Sequence, residues 1–156
     1  RIAHETHEAA DADLVIETIA ENFTAKSSFL AEVSRNARGG ALIASNTSSL
    51  SITQLSSSVI RPERFCGMHF CHPADVRRLV EVVPAAHTAA TTLQRCLRLL
   101  HQVDKVPLIV RDTPGFLLNR LLATYLNEAL ELLLDGVDIE SLDRAAMTFG
   151  FPVGPI

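Results

Sequence analysis

From residue 12 to residue 110 the chain repeats one pattern, in which a short apolar run is followed by a segment with apolar residues at helical spacing. The apolar runs are rich in β-branched residues and cover residues 12–20, 41–45, 65–70, 79–83 and 107–110. Such short, strongly apolar runs are typical of strands that are covered on both faces of a sheet. Strands that alternate with helices predict an α/β fold with a mostly parallel sheet.

The helical segments between these runs carry start and stop signals. Thr24 is the predicted N-cap of the first helix, which Gly39 and Gly40 end. Ser51 is the predicted N-cap of a short second helix that reaches about residue 57. A third helix is predicted over residues 88–105, where leucines recur at spacings of four and three.

The pattern changes at residue 112. Asp112 or Thr113 is predicted to cap a long helix that has Pro114 in its first turn and reaches about residue 134. Apolar side chains cover well over half of its surface, including Leu121, Leu122, Leu126, Leu130, Leu133 and Leu134. One core face needs less apolar surface than this, so we expect further helices or another subunit to bury it.

The residues at both ends of the chain are not those expected at natural termini. The chain begins with Arg1 in place of an initiator Met. It stops at Ile156, soon after a final helix that is predicted between its N-cap Asp138 and Gly150. We therefore expect the chain to be a piece of a longer polypeptide.

Composition narrows the class of protein. The 156 residues are 47% hydrophobic and 21% charged, which is typical of a globular domain. A net charge of -4 does not favour binding to a nucleic acid or to an anionic membrane surface. No apolar run approaches the ~18 residues of a membrane span. The three cysteines show no repeated spacing, which favours reduced thiols in the cytoplasm or an organelle matrix.

Four polar residues stand where elements end or where apolar neighbours predict burial. They are Ser48 after a strand, His69 at a strand end, Glu81 inside a strand and Asn119 near the start of the long helix. A base, a carboxylate that orients it and two hydrogen-bond donors suit the deprotonation of an alcohol that becomes a carbonyl. The same residues are also compatible with a core histidine, an edge carboxylate and a helix cap.

Three alternative interpretations are a metal site, a hydrolase and a structural module. Cys66, His69, Cys71 and His72 form a tempting zinc set, but alternation along a strand sends Cys66 and His72 to one face and His69 and Cys71 to the other, so we predict no metal site. Ser48, His69 and Glu81 could form a hydrolase triad, although no G-x-S-x-G motif surrounds the serine. The isolated chain could also act only as a structural module built on its apolar helix.

Six segments in order resemble the L-3-hydroxyacyl-CoA dehydrogenases of fatty-acid β-oxidation. They are DLVIETIAEN, ASNTSSLSIT, RPERFCGMHF, LVEVV, DTPGFLLNRLL and FGFPVGP. The ending FGFPVGP is most similar to that of multifunctional β-oxidation enzymes, which fuse a hydratase to the dehydrogenase. The resemblance implies the later part of a Rossmann-like NAD-binding domain over residues 1–111 and the start of an all-helical dimerisation domain over residues 112–156.

The resemblance also implies roles for the polar residues. His69 would remove the 3-hydroxyl proton, and Glu81 would orient the imidazole of His69. Ser48 and Asn119 would hold the substrate oxygen. His72 stands where the family commonly has asparagine, which leaves the acyl-CoA contacts and chain-length preference open.

The cofactor implied by the resemblance is NAD. Glu21, Lys26 and Asn46 match family positions near the nicotinamide and its ribose. The G-x-G-x-x-G turn that would hold the pyrophosphate is missing among the seven glycines, so we expect it upstream of Arg1. The chain by itself is then expected to bind NAD weakly, to lack activity, and to form a homodimer through residues 113–149.

Overall fold

The computed structural model describes residues 11–156 of the chain. The chain divides into two compact units, Arg1–Leu117 and Leu118–Ile156. The first unit contains the sheet, and the second is helical. Among the described residues, no helix is both long and apolar enough to cross a membrane.

The first unit is built on a five-stranded sheet with the strand order β1-β2-β3-β4-β5. Its strands are β1 Leu14–Glu17, β2 Leu42–Ser45, β3 Phe65–Phe70, β4 Leu79–Pro84 and β5 Val106–Ile109. The pairs β1–β2, β2–β3 and β4–β5 are parallel, whereas β3 and β4 are antiparallel. The loop between β3 and β4 is too short for the crossover that a parallel pair needs, so the chain turns back there. The predicted mostly parallel α/β sheet is confirmed.

Three α-helices connect the strands, α1 Phe23–Asn36, α2 Ile52–Ser56 and α3 Ala90–Gln102, and a short 3-10 helix covers Pro62–Arg64. The predicted N-cap of α2 is confirmed, because the Ser51 hydroxyl accepts a hydrogen bond from Gln54 N at 3.2 Å. The predicted cap of α1 is wrong. Asn22 caps that helix through a 3.0 Å bond from Ala25 N to its Oδ1, while Thr24 already lies inside the helix.

Apolar side chains cover both faces of the sheet. One cluster joins strand residues such as Ile43 and Val83 to α1 and α2, and the other joins Met68 and Val82 to α3. Alternate residues of a strand point to opposite faces, so neighbouring residues of β3 enter different clusters. This double covering explains why β2, β3 and β4 read as continuous apolar runs. The edge strand β5 differs, because Val106, Leu108 and Ile109 are exposed although the run is equally apolar.

The second unit contains α4 Leu118–Leu134 and α5 Ile139–Phe149. The helix that was expected to begin near residue 113 starts later because Gly115, at φ 74°, and Phe116, at φ 47°, adopt left-handed backbone that no α-helix can include. Neither predicted residue caps α4. The Asp112 carboxylate instead caps α2, where it accepts hydrogen bonds from Ile52 N at 3.0 Å and Thr53 N at 2.8 Å.

The limits of α5 match the prediction. The Asp138 side chain caps its first turn by accepting a bond from Ser141 N at 2.9 Å. Gly150 ends it at φ 123°, a value that favours glycine because a side chain there would strain the backbone.

Candidate active site

The predicted site residues of the first unit gather at the carboxyl ends of β1, β2 and β3. Glu21 follows β1, Asn46 and Ser48 follow β2, and His69 is the second-last residue of β3. Because these three strands are parallel, their carboxyl ends meet at one edge of the sheet, where ligands of open α/β sheets bind.

His69 and Glu81 face each other across the antiparallel pair of β3 and β4. Nδ1 of His69 lies 2.7 Å from Oε2 of Glu81, and Oε1 of Glu81 accepts a 2.9 Å hydrogen bond from Leu117 N. Glu81 is fully buried and His69 is 8% exposed. A carboxylate at Nδ1 holds the proton on that nitrogen, so Nε2 keeps a lone pair that can accept a proton.

Phe116 completes the surroundings of His69, and the sequence analysis did not identify it. Its buried ring lies with its centroid 5.9 Å from that of the imidazole. The left-handed backbone at Phe116 is uncommon for a residue with a bulky side chain, and it stores strain of about 1–3 kcal/mol. The same turn directs Leu117 N at Glu81, so it contributes to both sides of the pair. The Pro-Gly pair just before it was the available sequence signal for such a turn.

Asn46 links the ends of two strands. Its Oδ1 accepts a 2.8 Å hydrogen bond from Phe70 N, directly after His69. This bond fixes the end of β3 against the end of β2 at the edge where His69 lies.

Glu21 binds the loop that carries Ser48. Its Oε1 accepts hydrogen bonds from the Thr47 hydroxyl, from Ser48 N at 3.1 Å and from the Ser49 hydroxyl at 3.2 Å, and the Ser48 hydroxyl is 3.5 Å away. Partial burial opposes ionisation of this carboxyl, but the hydrogen bonds and the nearby Lys26 charge outweigh it and lower the Glu21 pKa. Glu21 is therefore a fixed carboxylate anion whose side chain remains 40% exposed.

Lys26 is buried, although it carries a charge. Its Nζ contacts Glu17 Oε1 at 2.7 Å, Ile19 O at 3.0 Å and Glu21 Oε2 at 3.4 Å. Glu17 is equally buried and was missed by the sequence analysis. The signal was present, because Glu17 interrupts an apolar run just as Glu81 does.

The other predicted residues, His72 and Asn119, lie on other elements of the chain. His72 is exposed in the loop after β3. Asn119 is the second residue of α4, in the helical unit, so its role stays a prediction. Cys66 and His69 do point to opposite faces, since Cys66 Sγ lies 3.3 Å from Cys96 Sγ on α3. Within residues 11–156, no group of three or more His, Cys, Asp or Glu side chains could hold a metal ion.

The sheet edge presents one ionised carboxylate that is partly exposed. A carboxylate such as that of Glu21 can accept hydrogen bonds from hydroxyl groups of a ligand. Glu21 lies beside the Ser48 loop, on the edge that carries His69.

Comparison with known proteins agrees with this architecture. The family model described as 3-hydroxyacyl-CoA dehydrogenase, NAD binding domain, matches residues 1–113, and the model of that family's C-terminal domain matches residues 115–156.

Solved structures give the same assignment. FadB2 of M. tuberculosis is 32% identical with a TM-score of 0.92, over 97% of this chain and 54% of that one. The (S)-3-hydroxybutyryl-CoA dehydrogenase PaaH1 of Ralstonia eutropha is 35% identical with a TM-score of 0.92, over 98% of this chain and 55% of that one. The 3-hydroxybutyryl-CoA dehydrogenase of Escherichia coli K12 is 38% identical with a TM-score of 0.90, over 97% of this chain and 32% of that one. The chain thus spans about half or less of the length of these relatives. By its family models and its fold, the chain belongs to the 3-hydroxyacyl-CoA dehydrogenase family.

Proposed function

We propose that this chain supplies the catalytic residues of an NAD-dependent dehydrogenase that oxidises L-3-hydroxyacyl-CoA to 3-oxoacyl-CoA. The observation that carries the proposal is the buried pair of His69 and Glu81, joined at 2.7 Å at the carboxyl edge of a nucleotide-binding sheet. A histidine with a buried carboxylate on one ring nitrogen is equipped to take a proton on the other.

In this proposal Nε2 of His69 accepts the proton of the substrate 3-hydroxyl. The imidazolium that forms is stabilised by the Glu81 carboxylate at Nδ1, and the bond from Leu117 N keeps that carboxylate in place. The side chains of Ser48 and Asn119 hold the substrate oxygen while it becomes a carbonyl, since donors aimed at a developing charge lower the barrier. The support for Ser48 and Asn119 is their match to the family motifs.

NAD, when bound, accepts the hydride that leaves C3 of the substrate. Glu21 would bind the nicotinamide ribose through its exposed carboxylate, with Lys26 Nζ 3.4 Å from that carboxylate. Asn46, whose side chain holds the end of β3, would lie near the nicotinamide, as its match to the family motif implies. The G-x-G-x-x-G turn that would bind the pyrophosphate does not occur in the 156 residues. We propose that efficient turnover needs such a segment, and that the chain alone is weakly active or inactive.

The cellular context is proposed from the sequence motifs. The FGFPVGP ending supports a multifunctional β-oxidation enzyme, active in the cytoplasm or an organelle matrix. The exposed leucines of α4 support a homodimer formed through residues 113–149. His72 is proposed to contact the acyl-CoA, and its exposure in the loop after β3 supports this role.

The test is NADH formation from L-3-hydroxybutyryl-CoA. It is measured for the chain alone and for a chimera in which the amino-terminal segment of the Ralstonia relative precedes Arg1. We expect the chimera to turn over the L substrate, to reject the D substrate, and to exceed the chain alone. A folded chimera that binds NADH but produces none from either enantiomer would contradict the proposal. Release of free acid without NADH would favour the hydrolase, and inactivity combined with stable assembly would favour a structural module.

A further inference from the structure

Glu17 contacts Lys26 and Ser45, next to the residues predicted to bind the cofactor, but it was not itself predicted as a site residue. It is buried at the end of β1, and each carboxylate oxygen is bound. Oε1 accepts hydrogen bonds from Ile19 N and Lys26 Nζ, both at 2.7 Å, and Oε2 accepts one of 2.5 Å from the Ser45 hydroxyl. One carboxylate therefore joins the turn after β1, helix α1 and strand β2.

Stability alone is a weak reason for such a group. Removing a carboxylate and an ammonium from water is costly, and replacing a buried ion pair by apolar residues is often neutral or stabilising. A buried ion pair has a role when it fixes the position of neighbouring groups, as buried polar groups do in proteins where they specify one arrangement.

The first group that Glu17 fixes is the Lys26 ammonium. An ammonium is a compact charge on a flexible stem, with three hydrogens to donate. The contact with Glu17 is the shortest of its three, and the contact with Glu21, at 3.4 Å, is the longest. Lys26 thus stands between a fully buried carboxylate and an exposed one, and the buried carboxylate determines where the charge lies beside Glu21.

The second group that Glu17 fixes is the loop after β2. The Ser45 hydroxyl that donates to Glu17 also accepts a 3.3 Å hydrogen bond from Thr47 N, and the Glu17 carbonyl accepts one of 2.8 Å from Asn46 N. Glu17 therefore fixes the start of the loop that carries Asn46 and Ser48, through both its side chain and its backbone carbonyl.

We infer that Glu17 is a positioning residue for the nicotinamide nucleotide, which acts through Lys26 and Ser45 to place Glu21 and the 46–49 loop against the ribose. The inference rests on the proposed function for the identity of the ligand. Glu17 itself, being buried, contacts neither cofactor nor substrate.

The experiment measures NADH affinity by fluorescence, together with KM for NAD and for the acyl-CoA, in a polypeptide that contains this chain together with an amino-terminal G-x-G-x-x-G segment. Glu17→Gln keeps the size of the side chain and removes its charge. We expect it to weaken NADH binding by about tenfold or more, the worth of hydrogen bonds to a charged group, while KM for the acyl-CoA changes by less than about twofold. Glu63→Gln, an exposed carboxylate in the same unit, is the matched control and should bind NADH like the wild type.

Two further variants test the route of the effect. If Glu17 acts through Lys26, the loss in NADH affinity caused by Glu17→Gln should largely disappear in a Lys26→Met background, because residues that act through one another are not additive. Ser45→Ala removes only the bond to Oε2, and we expect it to weaken NADH binding to a smaller extent. It also keeps the inference testable if Glu17→Gln does not fold.

The outcomes separate this inference from the proposed function. Unchanged NADH affinity in Glu17→Gln, or in Ser45→Ala if the first variant does not fold, would overturn the inference, even if the melting temperature fell. Full additivity with Lys26→Met would overturn the route through Lys26. A wild type that binds NADH without turnover would contradict only the proposed function, whereas a wild type that binds no NADH would contradict both.

Discussion

His69 is the single residue on which the proposed chemistry depends most directly. With Nδ1 committed to Glu81, Nε2 of His69 is the nitrogen left to accept a proton in the proposed reaction, and glutamine at this position offers no comparable base. In a protein that contains this chain and is active, we expect His69→Gln to lower turnover by about two to four orders of magnitude while NADH still binds. Steady-state kinetics measures the loss, and His101→Gln, an exposed histidine of α3, is the control. Activity within tenfold of the wild type would remove His69 from this role.

Glu81 tests the second half of the pair. Both of its oxygens accept hydrogen bonds, and a glutamine amide must present its NH₂ group either to His69 Nδ1 or to Leu117 N. We therefore expect Glu81→Gln to lower the turnover number and to change its pH profile, because the charge that stabilises the imidazolium is lost. Rate and pH profile are measured together. If neither changed, His69 would not depend on Glu81.

The two buried acids show what the sequence can reveal at this scale. Glu81 was identifiable because an acidic residue inside an apolar strand needs a partner, and His69 lies at the end of the predicted strand just before it. Glu17 gave the same signal, but its partner Lys26 lies on a helix, and only the fold brings the two together. The cap of α1 was assigned to Thr24 in place of Asn22 because both residue types favour that position and the exact start of a helix is poorly specified by sequence.

Among the elements, the segment before α4 departs most from the sequence prediction. Asp112, Pro114 and the leucines that follow have the composition of a capped helix, yet the structure uses Asp112 to cap α2, on a distant part of the chain. That long-range use could not be inferred from local spacing. The turn at Gly115 and Phe116 follows, and it directs Leu117 N to Glu81.

The Asp112 cap leads to a prediction about stability. Partial burial opposes its ionisation, but hydrogen bonds from Thr53, Ile52 and Ser51 outweigh it and lower the Asp112 pKa. Asp112→Ala should therefore reduce the free energy of unfolding near neutral pH by about 1 kcal/mol.

The pH dependence follows from the direction of that shift. A carboxyl whose pKa is lower in the folded protein stabilises the fold above its unfolded-state pKa and loses this effect as the pH falls through the folded-state value. The difference between wild type and Asp112→Ala should hence shrink in acid. Thermal unfolding over a pH series measures it, with Asp75→Ala in the exposed β3–β4 loop as the control. A difference that stayed constant down to the acid limit would contradict the role of the charge.

At the scale of the whole molecule, α4 carries several large apolar side chains that are exposed among the described residues. Leu122 is 40% exposed, Leu126 41% and Leu130 53%, and all three lie on one stripe of the helix. Contiguous apolar surface of this kind usually marks an interface.

We expect the chain to self-associate through residues 113–149, with Leu122, Leu126, Leu130 and Leu133 in the contact. Leu126→Glu should then shift the protein towards monomer in sedimentation at micromolar concentration, because a charge is costly to bury without a partner. Leu132→Glu is the matched control, since Leu132 is also exposed on α4 but lies off this stripe. A wild-type monomer, or equal behaviour of the two variants, would refute the expected interface.

The antiparallel turn from β3 to β4 has a consequence for how such an enzyme can change. His69 and Glu81 are fixed by strand register, whereas the loop that joins their strands carries the exposed His72, at a position where the family resemblance predicts asparagine. Surface loops tolerate substitution and insertion far better than paired strands do. If His72 contacts the acyl-CoA as proposed, substrate preference can change in this loop over evolutionary time while the pair of His69 and Glu81 on either side of it is inherited intact.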